Sequence, residues 1–422
     1  MDKQATEQTS AISLSSSTKG GFFENAFVSQ LRKITQGTLR IETPLDSFLL
    51  GDSSKDEIHA EIRITDKTFF RKACLGGSLG VSDSFANGDW TSPDLVMLFR
   101  LFLQNQEAMD GMEGGWATFL NKIARWSYAI GQKNTIKGSR KNIALHYDLG
   151  NDFYELMLDP TMTYSCGIFD TPETTLEEAS LAKYDRIIDQ LEIKPGHHLL
   201  EIGCGWGGFA QRIAERTQAK LTATTISERQ YKYAVDRIRK NGWEDRIRIL
   251  KQDYRKLSGQ FDRIVSIEMI EAVGHEYLPS YFAKISDLLS VQGAAMIQGI
   301  TMPDHRYKQY LREVDYIRTR VFPGSCVPSA SAMIAAAVKR SDLRPAALHD
   351  FGHHYAQTLR EWRIRFKENE KKIAALGHDE SFRRAWEYYL CYCEAGFEEG
   401  YTGDIHLLLA KPECKLARGF PK

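Results

Sequence analysis

From about residue 180 onward, short apolar runs alternate with stretches whose apolar residues recur every three or four positions. The runs predict strands at His197–Ile202, Leu221–Ile226, Ile247–Leu250, Phe261–Ile267 and Ala294–Ile300, with two later ones at Arg344–His349 and Ile405–Ala410. Continuous apolar strands separated by helices indicate a parallel sheet covered on both faces. Tyr355–Lys372 and Glu380–Glu399 read as helices. In the second, Phe382, Trp386, Tyr389, Cys393 and Phe397 recur at core spacing, so the aromatic stripe is read as packing. The expected fold class is α/β, with a mostly parallel seven-stranded sheet.

Before that, the pattern is different. Thr38–Thr43 and Ile58–Thr65 read as strands, and Ile58, Ala60, Ile62 and Ile64 alternate with charged residues as in a half-exposed sheet. Asp66 is placed to cap a short helix, Lys67 to Cys74, ending at Gly76-Gly77. Ser92-Pro93-Asp94 reads as a helix start with Ser92 as the cap, followed by the apolar run Leu95 to Leu103. The organisation expected is a disordered tail (1–20), a small N-terminal α+β domain (21–120), a basic linker (121–147) and the α/β domain (148–422). The linker holds Lys122, Arg125, Lys133, Lys137, Arg140 and Lys141 without an acid, interleaved with Ile123, Trp126, Tyr128 and Ile130. Basic residues beside amphipathic aromatics suit an anionic membrane surface; a solvated linker, or a face packed on the second domain, is the plainer alternative.

Bulk composition narrows the function class. The 422 residues suit two domains. Lys and Arg number 55 and so do Asp and Glu, so global charge gives no reason to expect nucleic acid. No run of about 18 apolar residues predicts a membrane span, and the polar, Ser- and Thr-rich start lacks the apolar core of a secretory signal. Seven cysteines with no CxxC pair read as reduced cytoplasmic thiols, with neither a disulfide framework nor a metal site.

The strongest local signal is His198-Leu-Leu-Glu-Ile-Gly-Cys-Gly-Trp-Gly-Gly208, a strand running into a glycine turn and then a helix. Glycines there let the backbone approach a ligand, in the crevice where open α/β sheets bind them. A dinucleotide site would show G-x-G-x-x-G. Here the spacing is G-x-G-x-G-G, preceded by Glu201. That form resembles motif I of S-adenosylmethionine methyltransferases. After the second strand, Thr224 to Gln230 falls where the ribose of that cofactor would lie; with no acid at the strand end, backbone groups or Gln230 would make the contacts. After the third, Asp253 would bond the adenine amino group and Tyr254 would pack on the ring.

Beyond the glycine turn, the chain resembles the cyclopropane-fatty-acid synthase family, which includes the mycolic acid cyclopropane synthases. The carrying segments are His146-Tyr-Asp-Leu-Gly-Asn-Asp-Phe-Tyr154, Tyr164-Ser-Cys166, Leu200-Glu-Ile-Gly-Cys-Gly-Trp-Gly207, Asp262-Arg-Ile-Val-Ser266, Glu271-Ala-Val-Gly-His-Glu-Tyr277, Phe322-Pro-Gly324 and His354-Tyr-Ala-Gln-Thr-Leu359. They cover roughly 140 to 410. The resemblance implies a Rossmann-like methyltransferase domain, with an N-terminal domain lying against lipid. It implies transfer of the sulfonium methyl of S-adenosylmethionine to a cis double bond of a phospholipid acyl chain, with a bicarbonate ion taking the proton whose loss closes a cyclopropane ring. Matched by position, Cys166, Glu271, Ile300 and Tyr355 fall on its bicarbonate contacts. Tyr164, Ser165, Gly203, Gly205, Ile226, Gln230 and Tyr254 fall on its cofactor contacts, to which the motif readings add Glu201, Gly207 and Asp253. Many members have His where this chain has Gln298, and an amide holds an anion but does not titrate. Relatives that leave a methylene or methyl branch keep the product open. The expected partners are a phospholipid membrane surface, met peripherally on the cytoplasmic side of the inner membrane, and a second copy in a homodimer. A small-molecule N-methyltransferase is the enzymatic rival. Among other residues, Cys204 is read as a small filler and His275 as a structural hydrogen-bonding group, while His146 and His353 stay ambiguous.

Overall fold

The computed structural model of the chain describes residues 21–51, 58–106, 149–313 and 316–416. The 1–20 tail and the 121–147 basic stretch lie outside the described residues.

The C-terminal sheet follows the apolar runs closely. Its strands are β5 (His198–Ile202), β6 (Lys220–Thr225), β7 (Ile247–Lys251), β8 (Phe261–Ile267), β9 (Leu289–Thr301), β10 (Arg344–Asp350) and β11 (Gly403–Ala410). They lie in the order β10-β11-β9-β8-β5-β6-β7. Neighbours from β9 to β7 pair in parallel, and β11 runs antiparallel to both β9 and β10. Leu199, Leu200, Ile264, Val265 and Ala294 to Ile297 are fully buried, as a sheet covered on both faces requires. β9 starts earlier than its apolar run, because its first turns of pleat, Val291 and Gln292, are exposed at the sheet margin and carry no burial signal. The strand order reverses at β5, which lies between β8 and β6, and such a switch point opens a crevice at the carboxyl ends of the strands.

The N-terminal strands β1 (Thr38–Glu42), β2 (Ser47–Gly51), β3 (His59–Ile64) and β4 (Trp90–Thr91) form a second sheet in the order β2-β1-β3-β4. With α1 (Phe22–Leu31), α2 (Thr68–Ala86) and α3 (Leu95–Gln104) they make an α+β unit. One strand was not foreseen and two expectations need correction here. β2 carries one buried side chain, Leu50, too weak an alternation to read from sequence. The helix expected to end at Gly76-Gly77 instead kinks at Gly77 (φ 53°, ψ −140°) and continues to Ala86. The cap of α3 is Asp94, whose carboxylate accepts from the Met97 N–H at 2.9 Å, not Ser92.

This unit packs on the long helix Glu380–Glu398. Phe85, Trp90 and Phe99 surround Tyr388 with ring centroids 5.5, 6.4 and 4.9 Å away. One apolar core therefore runs from Phe27 and Leu39 of the N-terminal unit to Trp362 and Phe397 above the large sheet.

Candidate active site

At the end of β5 the chain turns through Gly203 (φ +85°) and Gly205 (φ +51°) into the helix Gly208–Arg216, capped at Gly207. A Cβ on Gly205 would meet nothing within 4 Å, so the turn leaves open space beside the backbone. Below it Glu201 is buried, and its Oε2 has no hydrogen-bond partner among the described residues. Burial pushes that carboxyl up to about 8, opposed by the nearby Lys183 ammonium. An orphaned carboxyl oxygen beside an open glycine turn fits a polar, cationic ligand.

The other expected cofactor residues gather around this turn. Ile226 follows β6, and Gln230 sits in the first turn of the helix Glu228–Lys240, its Oε1 accepting from the Thr225 hydroxyl at 2.8 Å. Asp253 lies just past β7, where the adenine contact was expected. Its carboxylate is also held in a two-point fork by Arg255, at 2.9 and 2.7 Å. Tyr254 packs edge-on against Tyr281, and burial pushes its phenol up to about 12. Across the crevice, the Tyr164 hydroxyl lies 3.0 Å from that of Tyr389, and its ring leans on Trp362. Ser165 accepts a hydrogen bond from the fully buried Lys183.

The centre of the site is a residue the sequence reading passed over. Glu268 directly follows β8 in a left-handed conformation (φ +45°). Its Oε1 accepts from the Cys166 N–H at 2.8 Å and from Gln298 Nε2 at 2.9 Å, and its Oε2 accepts from the Tyr355 hydroxyl at 2.6 Å. Burial raises the Glu268 carboxyl above the ordinary range; the Lys183 charge and the donated hydrogen bonds pull against that rise. The same Gln298 amide donates to Asp404 Oδ2 at 2.8 Å, and its oxygen lies 3.3 Å from His406 Nε2. Burial and the neighbouring Glu268 charge push Asp404 far up, and burial pushes His406 well down. The surroundings thus favour the neutral forms of Asp404 and His406, while the Lys183 charge favours ionisation of Glu268.

Glu271 sits three residues after Glu268 in the short turn Ile270–Ala272. Its Oε1 accepts from the Ile300 N–H at 2.6 Å, its Oε2 has no partner among the described residues, and burial pushes it up to about 8. The Cys166 thiol is buried and its titration is driven far up by burial, which leaves it protonated and unsuited to act as a nucleophile. Cys204 is buried in the turn, and His275 Nδ1 pairs with the Tyr307 hydroxyl at 2.8 Å, as a structural group would. His353 lies tilted against His354, their ring centroids 4.0 Å apart; His146 lies outside the described residues.

A cavity of about 640 Å³ joins these parts. It is lined by Tyr164, Ser165, Glu201, Gly203, Gly205, Ile226, Gln230, Asp253 and Tyr254, and also by Glu268, Glu271, Ile300 and Tyr355. Cys166 and Gln298 stand behind Glu268, and Gly207 behind the turn; none of the three lines the cavity. The cavity continues between apolar walls that include Phe69, Trp90, Phe99 and Phe102 of the N-terminal unit. Tyr389, Cys393 and Phe397 of the aromatic stripe also face it, so that stripe is packing only in its first half.

A bicarbonate ion, as the resemblance implies, does not fit this donor set. The N–H groups of Cys166 and Ile300, the Gln298 amide and the Tyr355 hydroxyl already donate to the chain's own Glu268 and Glu271.

Comparison with known proteins agrees with this architecture. The family model described as mycolic acid cyclopropane synthetase matches residues 134–407. Tuberculostearic acid methyltransferase UfaA1 of Mycobacterium tuberculosis is 38% identical over 332 residues, 77% of this chain and 77% of that protein. Cyclopropane-fatty-acyl-phospholipid synthase of Escherichia coli K12 is 34% identical over 346 residues, 80% and 84% of the two chains. The solved structure of mycolic acid cyclopropane synthase CmaA1 complexed with SAH and CTAB superposes with a TM-score of 0.60 at 30% identity. It covers 64% of this chain and 98% of its own.

Proposed function

The chain belongs to the mycolic acid cyclopropane synthetase family and is an S-adenosylmethionine-dependent methyltransferase; from that premise we propose that it alkylates a cis double bond in an unsaturated phospholipid acyl chain and closes a cyclopropane ring there. The observation that carries this reading is the continuity of the cavity. The glycine turn and Glu201 lie at the same space as the carboxyl cluster and the apolar walls of Phe69, Trp90, Phe99 and Phe102. A polar cationic donor and a long apolar acceptor need such a pair of linings. An alkene is a weak nucleophile, so the enzyme's work is alignment, exclusion of water and removal of one proton. Tyr164, Ser165, Ile226, Gln230, Asp253 and Tyr254 would hold the donor, which supplies the electrophilic methyl.

The chain would meet its lipid peripherally, from the cytoplasmic side of the membrane. Among the described residues no helix is long and apolar enough to cross a bilayer. Phe22, Leu45 and Leu49 expose large apolar side chains on the N-terminal unit, in keeping with contact with an acyl surface.

Incubation with methyl-labelled S-adenosylmethionine and liposomes of a cis-unsaturated phospholipid tests the reading. Label is expected in the acyl chains, in a ring by mass and fragmentation. Label confined to small amines would reject it. A methylene- or methyl-branched product is the second reading, favoured by the similarity to a protein named as a tuberculostearic acid methyltransferase; the same spectra separate the two.

A further inference from the structure

We propose that the Glu268 carboxylate is this enzyme's own base, fixed in the place that the family resemblance gives to a bicarbonate ion, so that turnover needs no added anion. This deepens the lipid-alkylation reading and rests on it.

Three observations carry it. First, Cys166 and Tyr355, two of the four groups assigned by resemblance to the anion, converge on Glu268 together with Gln298, while the Ile300 N–H is taken by Glu271. Cys166 and Gln298 do not line the cavity and donate to one oxygen of that carboxylate, and Tyr355 holds the other. Second, the residue adopts φ +45°, which is strained for a non-glycine residue and persists where surrounding contacts hold it. The three donated hydrogen bonds are such contacts. Third, the charges around it are arranged for one anion. Lys183 is fully buried, its amine pulled down by burial and held up chiefly by Glu268, while Asp404 is pushed towards its neutral acid and His406 towards its neutral form. A second anion beside Glu268 would face an unpaired charge in a dry site.

The step balances without a further reactant. The alkene π electrons form a carbon–carbon bond to the methyl as its bond to sulfur breaks, and the sulfonium becomes a neutral thioether. The positive charge then resides on the acyl carbon. Glu268 takes one proton from the transferred carbon, and the electron pair of that C–H bond closes the ring. The carboxyl is left protonated and returns its proton to solvent after product leaves. A carboxyl raised by burial is better matched to a proton acceptor near neutral pH than an ordinary one.

The test uses the purified full-length chain with labelled donor and unsaturated liposomes. In buffer stripped of carbon dioxide, the wild-type rate should stay within about twofold of its rate with added bicarbonate. Glu268→Gln should lose about a hundredfold or more, while calorimetry shows S-adenosylhomocysteine bound as tightly as before. Glu268→Gly tolerates the left-handed backbone and opens the cradle; added bicarbonate or formate should restore part of its rate. A wild-type rate that collapses by about tenfold or more without bicarbonate would overturn the proposal. So would a folded, ligand-binding Glu268→Gln with near-normal turnover. If the wild type labels no lipid under either condition, it is the lipid reading that fails, and the two failures are thereby told apart.

Discussion

The Tyr355 hydroxyl donates to Glu268 Oε2 at 2.6 Å from the helix His353–Glu368, while the Tyr355 ring stacks on Phe397 with centroids 4.3 Å apart. The stack fixes the ring, and the fixed hydroxyl favours the charged form of Glu268.

Removing that hydroxyl should therefore make the base harder to ionise. In Tyr355→Phe the acid limb of the kcat/KM profile should move to higher pH, and the rate at neutral pH should fall by about tenfold. The ring and its stack survive, so cofactor affinity should hold. A profile that keeps its position while the rate falls would assign Tyr355 a role other than tuning Glu268.

How much of this was readable beforehand differs by level. The inner strands β6, β5, β8, β9 and β11 were legible because they are largely buried on both faces and so read as apolar runs, whereas the edge strands β7 and β10 expose alternate or most residues and carry a weaker signal. The glycine turn was legible because its spacing is dictated by backbone geometry. Glu268 was missed although the same signal, an acid at a strand end, pointed to it more directly than to Glu271; resemblance drew attention three residues downstream. Lys183 and Asp404 carried no local signal. A lysine in an amphipathic helix and an aspartate at a strand start look solvated until the fold buries them.

The open space at Gly205 predicts a separation of binding from stability. Gly205→Ala puts a methyl where no protein atom lies within 4 Å. Its left-handed backbone (φ +51°) should cost about 1–2 kcal/mol in unfolding free energy. Because the methyl would project into donor space, affinity for S-adenosylhomocysteine should drop by about tenfold or more by calorimetry. Retained affinity would mean the ligand lies away from this turn.

Arg384 ties the N-terminal unit to the helix Glu380–Glu398, donating to the carbonyls of Phe85 at 2.7 Å and Trp90 at 2.8 Å. Arg384→Ala leaves both carbonyls without that donor and should cost about 1–3 kcal/mol. The loss should appear as faster hydrogen exchange in α2 and around β4. If Trp90 and Phe99 form the acyl wall, KM for liposomes should rise while cofactor affinity stays constant. An unchanged KM alongside the faster exchange would remove the N-terminal unit from lipid handling.

Two buried acids give the ligand-free protein a distinctive pH response. Glu201 and Glu271 are each pushed by burial from 4.5 up to about 8. Between those values the folded chain holds protons that the unfolded chain has released, so their contribution to stability is full below about 4.5 and is lost as pH rises through about 8. The melting temperature of the ligand-free chain should fall across that window, and the double variant Glu201→Gln, Glu271→Gln should show a shallower fall. A cationic ligand reverses the cause, because a positive charge beside these carboxyls favours their ionised forms. Binding of S-adenosylmethionine at pH 7 should therefore release protons, measured as a dependence of binding enthalpy on the ionisation heat of the buffer. S-adenosylhomocysteine, without the sulfonium charge, should release fewer. Equal release by the two ligands would place the sulfur away from Glu201 and Glu271, and with it the methyl from the base three residues before Glu271.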